Sequence, residues 1–236
     1  MSQKLANVLQ LKVAKVTKNK KLDSKKEFES GIKKYPLDKA FITKTGFRGD
    51  EVADLIHHGG ETKAVLFFSS KTYEKLNKLS GNSFEHDDMA HYGENLLVDE
   101  IDEADICVGD ILKVGEATFE VSQPRQPCWK LSANTSTKPM TGIIYNNGLT
   151  GWYARVVQEG EVKKGDDVIL VKRAYPELTI KALNRVIVDP LSDKEVTLQA
   201  MKCPVLGEQF KASLEGRAKL REPKNEPFRY HNEPQE

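Results

Sequence analysis

The sequence predicts a mainly β protein: a closed or nearly closed antiparallel barrel with a few helices, followed by a small module of three helices. Short apolar strands are broken by the sharp turns Gly109-Asp110 and Gly165-Asp166. This punctuation is typical of strand-rich barrels. After Pro176 the apolar residues recur at helical spacing instead. The change of period predicts that the chain leaves the barrel there.

Strands of the barrel are predicted wherever apolar and polar residues alternate or a short apolar run occurs. These segments are residues 5–16, 64–69, 106–114, 117–123 and 162–172. The run at 64–69 leads into residues 71–79, whose apolar positions are spaced for an amphipathic helix. The lysine-rich segment 17–29 predicts a solvated loop.

The domain boundaries follow from the same patterns. Residues 1–175 form the predicted barrel domain, and residues 176–221 form the three-helix module. Pro190 and Pro204 separate its helices, because proline disfavours continuation of a helix. The proline-rich and charged segment 222–236 predicts a flexible tail.

Composition excludes several classes of protein. The 36 basic side chains nearly balance the 35 acidic ones, so no overall field favours a nucleic acid polymer or a membrane surface. No apolar run approaches the roughly 20 residues that span a bilayer. Cys107, Cys128 and Cys203 are too few and too scattered for a disulfide framework or a zinc site. A reducing cytoplasm is the simplest setting. The oligomeric state stays open, with a homodimer as one alternative.

The segment around Cys128 carries the strongest chemical signal. Pro124 and Pro127 stiffen the chain and exclude a helix between them. Arg125 and Lys130 both favour the thiolate, which is the form that attacks or ligates a metal. A small cysteine buried in a loop at the barrel rim is the alternative. Residue type alone leaves both interpretations open.

Adjacent histidines precede a pair of glycines in the segment His57-His58-Gly59-Gly60. Neighbouring side chains of an extended segment point to opposite faces, so both histidines do not bind one ion. The glycines let the backbone approach a ligand closely. A simple glycine turn before the strand at 64–69 explains them equally well.

Two weaker signals complete the candidate set. Asn95 follows Gly93 and offers an amide for a heterocycle, or it caps a tight turn. Lys34, close to Arg48, belongs to the best local basic cluster for a phosphate. A lysine of this kind is more often solvated surface.

Together these segments resemble the MOSC domain family, which is named for the C-terminal domain of molybdenum cofactor sulfurase. The resemblance rests on His58-Gly59-Gly60, Gly93-Glu94-Asn95-Leu96, Gly109-Asp110 and Gln123-Pro124-Arg125-Gln126-Pro127-Cys128-Trp129-Lys130-Leu131, which occur in the family's order and approximate spacing. The helical appendage resembles the YiiM-like subgroup. The resemblance implies a MOSC-type β-barrel that binds molybdenum cofactor, Mo-molybdopterin.

The resemblance also implies roles for residues. Cys128 would ligate molybdenum, and Lys34 would lie near the phosphate of the cofactor. The expected cofactor-binding residues are Lys34, Arg48, His58, Gly59, Gly60, Asn95 and Arg125. We further predict that His58 acts with Cys128 in catalysis, as the proton donor to the leaving oxygen.

The implied activity is reduction of N-hydroxylated compounds, such as hydroxylaminopurine-type bases, to amines, which is a detoxification. Nothing in the sequence resembles a flavin, haem or iron–sulfur site, so a separate electron-donating reductase is expected. One alternative is a carrier of cofactor or sulfur with Cys128 as persulfide acceptor. Another is a non-catalytic cofactor-binding module.

Overall fold

A closed barrel dominates the structure, a computed structural model that describes residues 2–22 and 26–219. The strands are β1 (Gln3–Val13), β2 (Thr17–Lys20), β3 (Glu27–Ser30), β4 (Tyr35–Leu37), β5 (Lys39–Thr43), β6 (Gly46–Phe47), β7 (Val65–Ser69), β8 (Leu96–Val98), β9 (Ile111–Val114), β10 (Ala117–Pro124), β11 (Trp152–Gln158), β12 (Gly160–Lys163) and β13 (Asp167–Lys172). The helices are α1 (Ser70–Ser80), α2 (Lys130–Asn134), α3 (Met140–Asn147), α4 (Ile180–Val188), α5 (Lys194–Lys202) and α6 (Glu208–Ala218), with a 3-10 turn at Glu61–Lys63.

Seven strands close the barrel in the order β1, β13, β9, β10, β11, β7 and β8, and β8 pairs with β1 again. All of these pairs are antiparallel except β7 with β8. Because the last strand returns to the first, the barrel leaves no free sheet edge. The predicted mainly β barrel is therefore confirmed. Strand β4 pairs with the end of β1 outside the closed ring, and β12, β5 and β6 form a small separate sheet.

Most predicted strands are found close to their predicted positions. The segment predicted at 106–114 is shorter, because residues before Ile111 form a turn instead. The Asp110 carboxylate accepts a hydrogen bond from the backbone N–H of Cys107 at 2.9 Å and holds that turn closed. The segment predicted at 162–172 divides at Gly165, as its turn signal indicated.

The predicted solvated loop at 17–29 is wrong, since β2 and β3 pair there as a hairpin. Residues 23–25 lie outside the described part of the chain. A ring contact at 4.8 Å joins Phe28 of the hairpin to Trp129, next to Cys128. That contact spans about a hundred positions of sequence, so the local lysine-rich composition gives no sign of it.

The three predicted C-terminal helices are confirmed as α4, α5 and α6. Thr179 and Asp193 cap α4 and α5 by accepting hydrogen bonds from backbone N–H groups of their first turns. Buried apolar side chains of the helices, including Leu183, Phe210 and Leu214, belong to one continuous core with the barrel. The boundary between barrel and helices at residue 175 stays a prediction, and the tail at 222–236 lies outside the described residues. In the described ranges, no helix is long and apolar enough to cross a membrane.

The core that the C-terminal helices share with the barrel leads to a prediction about stability. Leu214 is 0% exposed, whereas Leu198 is 53% exposed on α5. We expect Leu214→Ala to lower the free energy of unfolding by about 2–5 kcal/mol, because it leaves a cavity in the core. Leu198→Ala should change it by less than about 0.5 kcal/mol. Urea unfolding followed by circular dichroism measures both values. Equal losses for the two variants would contradict packing of α6 on the barrel.

Candidate active site

A cavity with about 770 Å³ of empty space, including its part open to solvent, lies where β10 ends and where β7 and β8 begin. Segments far apart in the sequence meet there because the barrel brings the ends of these strands together. The polar side chains that line it include Lys34, Asp50, His58, Lys63, Asn95, Arg125, Lys130 and the thiol of Cys128. Concave sites with a small number of convergent polar groups are where proteins bind small molecules and cofactors.

Five residues predicted from sequence line this one cavity: Lys34, His58, Asn95, Arg125 and Cys128. They come from four separate segments of the chain. The barrel therefore brings together the two strongest motifs and the weaker signals around them.

The other three predicted residues do not line the cavity. Arg48 is exposed, and its guanidinium carbon lies 4.6 Å from the centre of the Phe41 ring. Gly59 and Gly60 shape the loop instead. A Cβ atom at Gly59 would lie 2.9 Å from the Leu55 Cα atom. Gly60 has a φ of 91°, which glycine adopts at little cost.

Asp50, which has no local signal in the sequence, organises one wall of the cavity. Its carboxylate accepts hydrogen bonds from the Ala14 backbone N–H at 2.8 Å and from Asn95 Nδ2 at 2.8 Å. It also forms a buried ion pair with Lys34 Nζ at 2.5 Å. Lys34 therefore enters the site with its charge already balanced. Asn95 Oδ1 accepts from the Leu66 N–H at 3.2 Å, so this amide holds the wall in place.

A second buried network fixes the turn before Asn95. Lys12 Nζ lies 2.9 Å from Glu94 Oε1, and the Tyr73 hydroxyl donates to the same oxygen at 2.6 Å. Glu94 Oε2 accepts from the Tyr92 N–H at 3.2 Å. Burial, and then the charge of Glu94, raise the pKa of Tyr73 well above its usual range, so its hydroxyl stays a donor. This network positions Gly93 and Asn95 at the cavity wall.

Backbone contacts hold the Cys128 loop in one position. The Cys128 carbonyl accepts from the Leu131 N–H and from the Thr141 hydroxyl, both at 3.0 Å. The thiol belongs to a residue that is 6% exposed and lines the cavity. The other two cysteines serve packing: Cys203 lies in the core, and burial raises the pKa of Cys107 to about 11.

Arg125 is a buried cation whose hydrogen-bonding capacity is partly unmet. The residue is 5% exposed, and its Nε and Nη1 atoms have no hydrogen-bond partner among the described residues. A buried guanidinium without a partner is costly. A bound anion would satisfy it, because phosphate and carboxylate oxygens match its fork of donors.

His58 is uncharged in this setting. Burial is the main cause that lowers its pKa to about 3, and the cations Arg125, Lys130 and Lys63 lower it further. The ring is therefore neutral at pH 7. It offers one N–H donor and one acceptor nitrogen rather than an imidazolium.

Lys63 was not predicted from sequence. It is buried, and its Nζ donates to the His57 carbonyl and to Gln209 Oε1 of α6. Burial lowers its pKa to about 8, and Asp54 opposes that shift. A lysine just after a glycine turn carries no signal of its own, since only the fold encloses it.

The fold and the site together define a class of protein. Its members have a seven-strand barrel and a polar cavity, which is lined here by the loop cysteine Cys128 and by the buried, unpaired Arg125. The MOSC domain family matches residues 54–169 of the sequence. A Bacillus subtilis protein, "Uncharacterized protein YflK", is 33% identical over 215 residues, which cover 91% of this chain and 95% of that protein. The chain belongs to the MOSC domain family, as the resemblance implied.

Other relatives agree with this assignment. "Protein YiiM" of Escherichia coli is 32% identical over 145 residues, which cover 61% of this chain and 65% of that protein. A Gibberella moniliformis protein named "Reductase" is 34% identical over 163 residues, which cover 68% of this chain but only 29% of the relative. The crystal structure of YiiM from Geobacillus stearothermophilus superposes with a TM-score of 0.70 at 26% identity, covering 92% of this chain and 98% of that one.

The environment of His58 predicts an unusual pH response. We expect its ring to stay neutral from pH 8 to pH 5, because its pKa is about 3. In the unfolded chain the same ring should titrate near the ordinary value of about 6.5. Between these values only the unfolded chain binds the proton, so acidification below about pH 6.5 lowers stability. Histidine NMR, assigned with His58→Asn, measures the titration. A folded-state midpoint between pH 6 and 7 would contradict the described site.

Proposed function

We propose that the chain is a molybdenum cofactor-dependent reductase that converts N-hydroxylated compounds, such as hydroxylaminopurine-type bases, to amines. The observation that carries the proposal is the pairing of the Cys128 thiol with the unpaired buried guanidinium of Arg125 in one cavity. Membership of the MOSC domain family and the relative named "Reductase" support it.

The residues at the cavity fit this cofactor in two respects. A thiolate is the soft ligand that a metal bound mainly by sulfur prefers, and Cys128 would provide it. The pterin carries an anionic phosphate, for which Arg125 has two buried donor atoms without partners. Lys34 reinforces this wall only partly, because Asp50 already balances its charge.

When bound, the cofactor would supply the electrons that break the N–O bond, which the side chains here cannot provide. The residues would orient the substrate and manage protons. The neutral His58 ring would hydrogen-bond the hydroxyl oxygen of the substrate, as predicted from sequence. At neutral pH Lys63 would hold a proton at Nζ, since its pKa of about 8 lies above that pH. The net reaction takes up two electrons and two protons and releases amine and water.

Electrons would come from a separate reductase, which we propose as the protein partner. The fungal relative supports this, because the matched region makes up only 29% of a longer protein named "Reductase". A small N-hydroxylated compound is the proposed substrate, and the cytoplasm is the proposed location. The role of Cys128 would be to hold and tune the metal rather than to attack the substrate.

Metal analysis combined with an activity assay tests the proposal. Wild type, Cys128→Ala and Cys203→Ala are purified from a host that makes molybdenum cofactor, and reduction of a hydroxylaminopurine is measured with an artificial electron donor. We expect Cys128→Ala to lose bound molybdenum and at least about 100-fold in rate, a loss of the size seen when an essential catalytic group is removed. Cys203→Ala serves as the control, because Cys203 is buried in the core away from the cavity.

Each rival function has its own outcome. Full metal and full activity in Cys128→Ala would show that this cysteine is not the ligand. Labile sulfur on Cys128 without turnover would favour the sulfur carrier. Tight cofactor binding without redox cycling by any donor would favour the binding module.

A further inference from the structure

Large apolar side chains are exposed at the rim of the active-site cavity. Leu55 and Ile56 are 71% and 75% exposed, the highest values among the large apolar side chains that the structure describes. Val52, three positions before Leu55, is exposed and also lines the cavity, and so does His58, two positions after Ile56. The segment therefore borders both the cavity and solvent. We call Val52, Leu55 and Ile56 the apolar rim.

Hydrogen bonds to the backbone hold this segment in place. The His58 N–H donates to the Asp54 carbonyl at 2.9 Å. Gln209 Nε2 of α6 donates to the Ile56 carbonyl at 2.7 Å. These bonds use main-chain carbonyls, so they leave the side chains of Leu55 and Ile56 in solvent. Neighbouring apolar side chains that an ordered segment exposes together are typical of a binding surface.

Lys130 contributes a positive charge at the same cavity. It lines the cavity, and its charge acts on His58, so it lies close to the rim. Lys130 Nζ donates to the Glu29 carbonyl at 3.3 Å, but no carboxylate of the described residues pairs with it. The carboxylates that line the cavity are bonded to other side chains: Asp50 to Lys34, Glu51 to Lys15 and Asp54 to His57. A partner with acidic side chains would therefore complement Lys130.

The size of the apolar rim indicates what kind of partner it fits. A stable interface between two chains uses roughly 20–30 residues a side, far more than these three side chains. Contacts between electron-transfer proteins are smaller and short-lived. A membrane surface is not favoured, because 36 basic and 35 acidic side chains nearly cancel over the chain. The rim is thus suited to a transient contact with another protein.

We propose that the apolar rim and Lys130 form the docking surface for the electron-donating protein, which presents acidic side chains around an apolar contact. The inference rests on the proposed function, because only a redox reaction needs such a donor. Docking at the rim brings the redox group of the donor to the opening of the cavity that Cys128 lines. Each turnover would oxidise the donor by two electrons in total, and water would supply the two protons.

Electron donors of different size test the docking surface. Reduction of a hydroxylaminopurine by the cofactor-loaded full chain is measured with reduced methyl viologen, a small donor, and with reduced flavodoxin, an acidic protein donor. We expect the double variant Leu55→Ser, Ile56→Ser to lower the second-order rate constant for flavodoxin by about ten-fold, because it removes the apolar contact. The rate with methyl viologen should not change, since a small molecule needs no docking surface.

A matched control makes the same change elsewhere. Leu191 and Leu198 are about half exposed in the C-terminal module and do not line the cavity. The double variant Leu191→Ser, Leu198→Ser should keep both rates. The flavodoxin-driven rate of wild type should also fall as salt is added, because salt screens the attraction between Lys130 and an acidic partner.

Contact is measured without turnover by methyl NMR. Leucine and isoleucine methyl signals of the full chain are assigned with the same variants and recorded while oxidised flavodoxin is added. We expect the signals of Leu55 and Ile56 to shift and the signal of Leu198 to stay in place.

The outcomes separate the docking surface from the proposed function. Shifted rim signals in a protein that reduces no hydroxylaminopurine with either donor would support the surface and overturn the reductase. Turnover with methyl viologen but not with flavodoxin, or an equal loss of both rates in the Leu55→Ser, Ile56→Ser variant, would overturn the surface and leave the reductase standing. Unshifted rim signals together with an unchanged flavodoxin-driven rate in that variant would overturn the surface as well.

Discussion

The buried carboxylate of Asp50 is the interaction on which the geometry of the site depends. It joins the end of β1, the start of β4 and the start of β8 through Ala14, Lys34 and Asn95. Removing one partner of such a buried set is costly, because it strands a charge away from water. Asp50 therefore fixes three segments of the cavity wall before any ligand enters.

The basic residues of the site therefore have different roles. Asp50 balances Lys34, so Lys34 contributes order more than free charge. The Nε and Nη1 atoms of Arg125 are buried and have no hydrogen-bond partner among the described residues. After burial, the charge of Arg125 helps to hold His58 neutral. Cys128 lines the same cavity, on a loop that Thr141 and Trp129 hold in place. The result is a preorganised site in which Arg125 has free donors for an anion and, under the proposed function, Cys128 would bind the metal.

The sequence predicts the barrel well, because alternation of apolar residues and Gly-Asp turns are local signals. It also predicts the three C-terminal helices, whose prolines mark their limits. The hairpin of β2 and β3 was missed, since Phe28 is held there by Trp129 and not by its neighbours in sequence. The strand β11 and the short helices α2 and α3 were missed as well.

The site residues also divide into those with a local sequence signal and those that only tertiary contacts bring into place. Cys128, Arg125 and His58 stand in motifs whose residue types suggest chemistry, and the structure brings all three to one cavity. Asp50 and Lys63 have no local signal, because only tertiary packing buries them and supplies their partners. The contact of Gln209 with Lys63 could not be predicted from sequence either, because α6 comes from the far end of the chain. Composition and spacing find reactive groups, whereas the groups that position them follow from the fold.

The position of the metal tests the proposed role of Cys128 directly. Crystals of the cofactor-loaded protein are measured on both sides of the molybdenum absorption edge, and an anomalous difference map is calculated. We expect a single strong peak within bonding distance of Cys128 Sγ, with the phosphate of the cofactor bound to Arg125. A molybdenum peak away from Cys128, with the Arg125 guanidinium still unpaired, would contradict it.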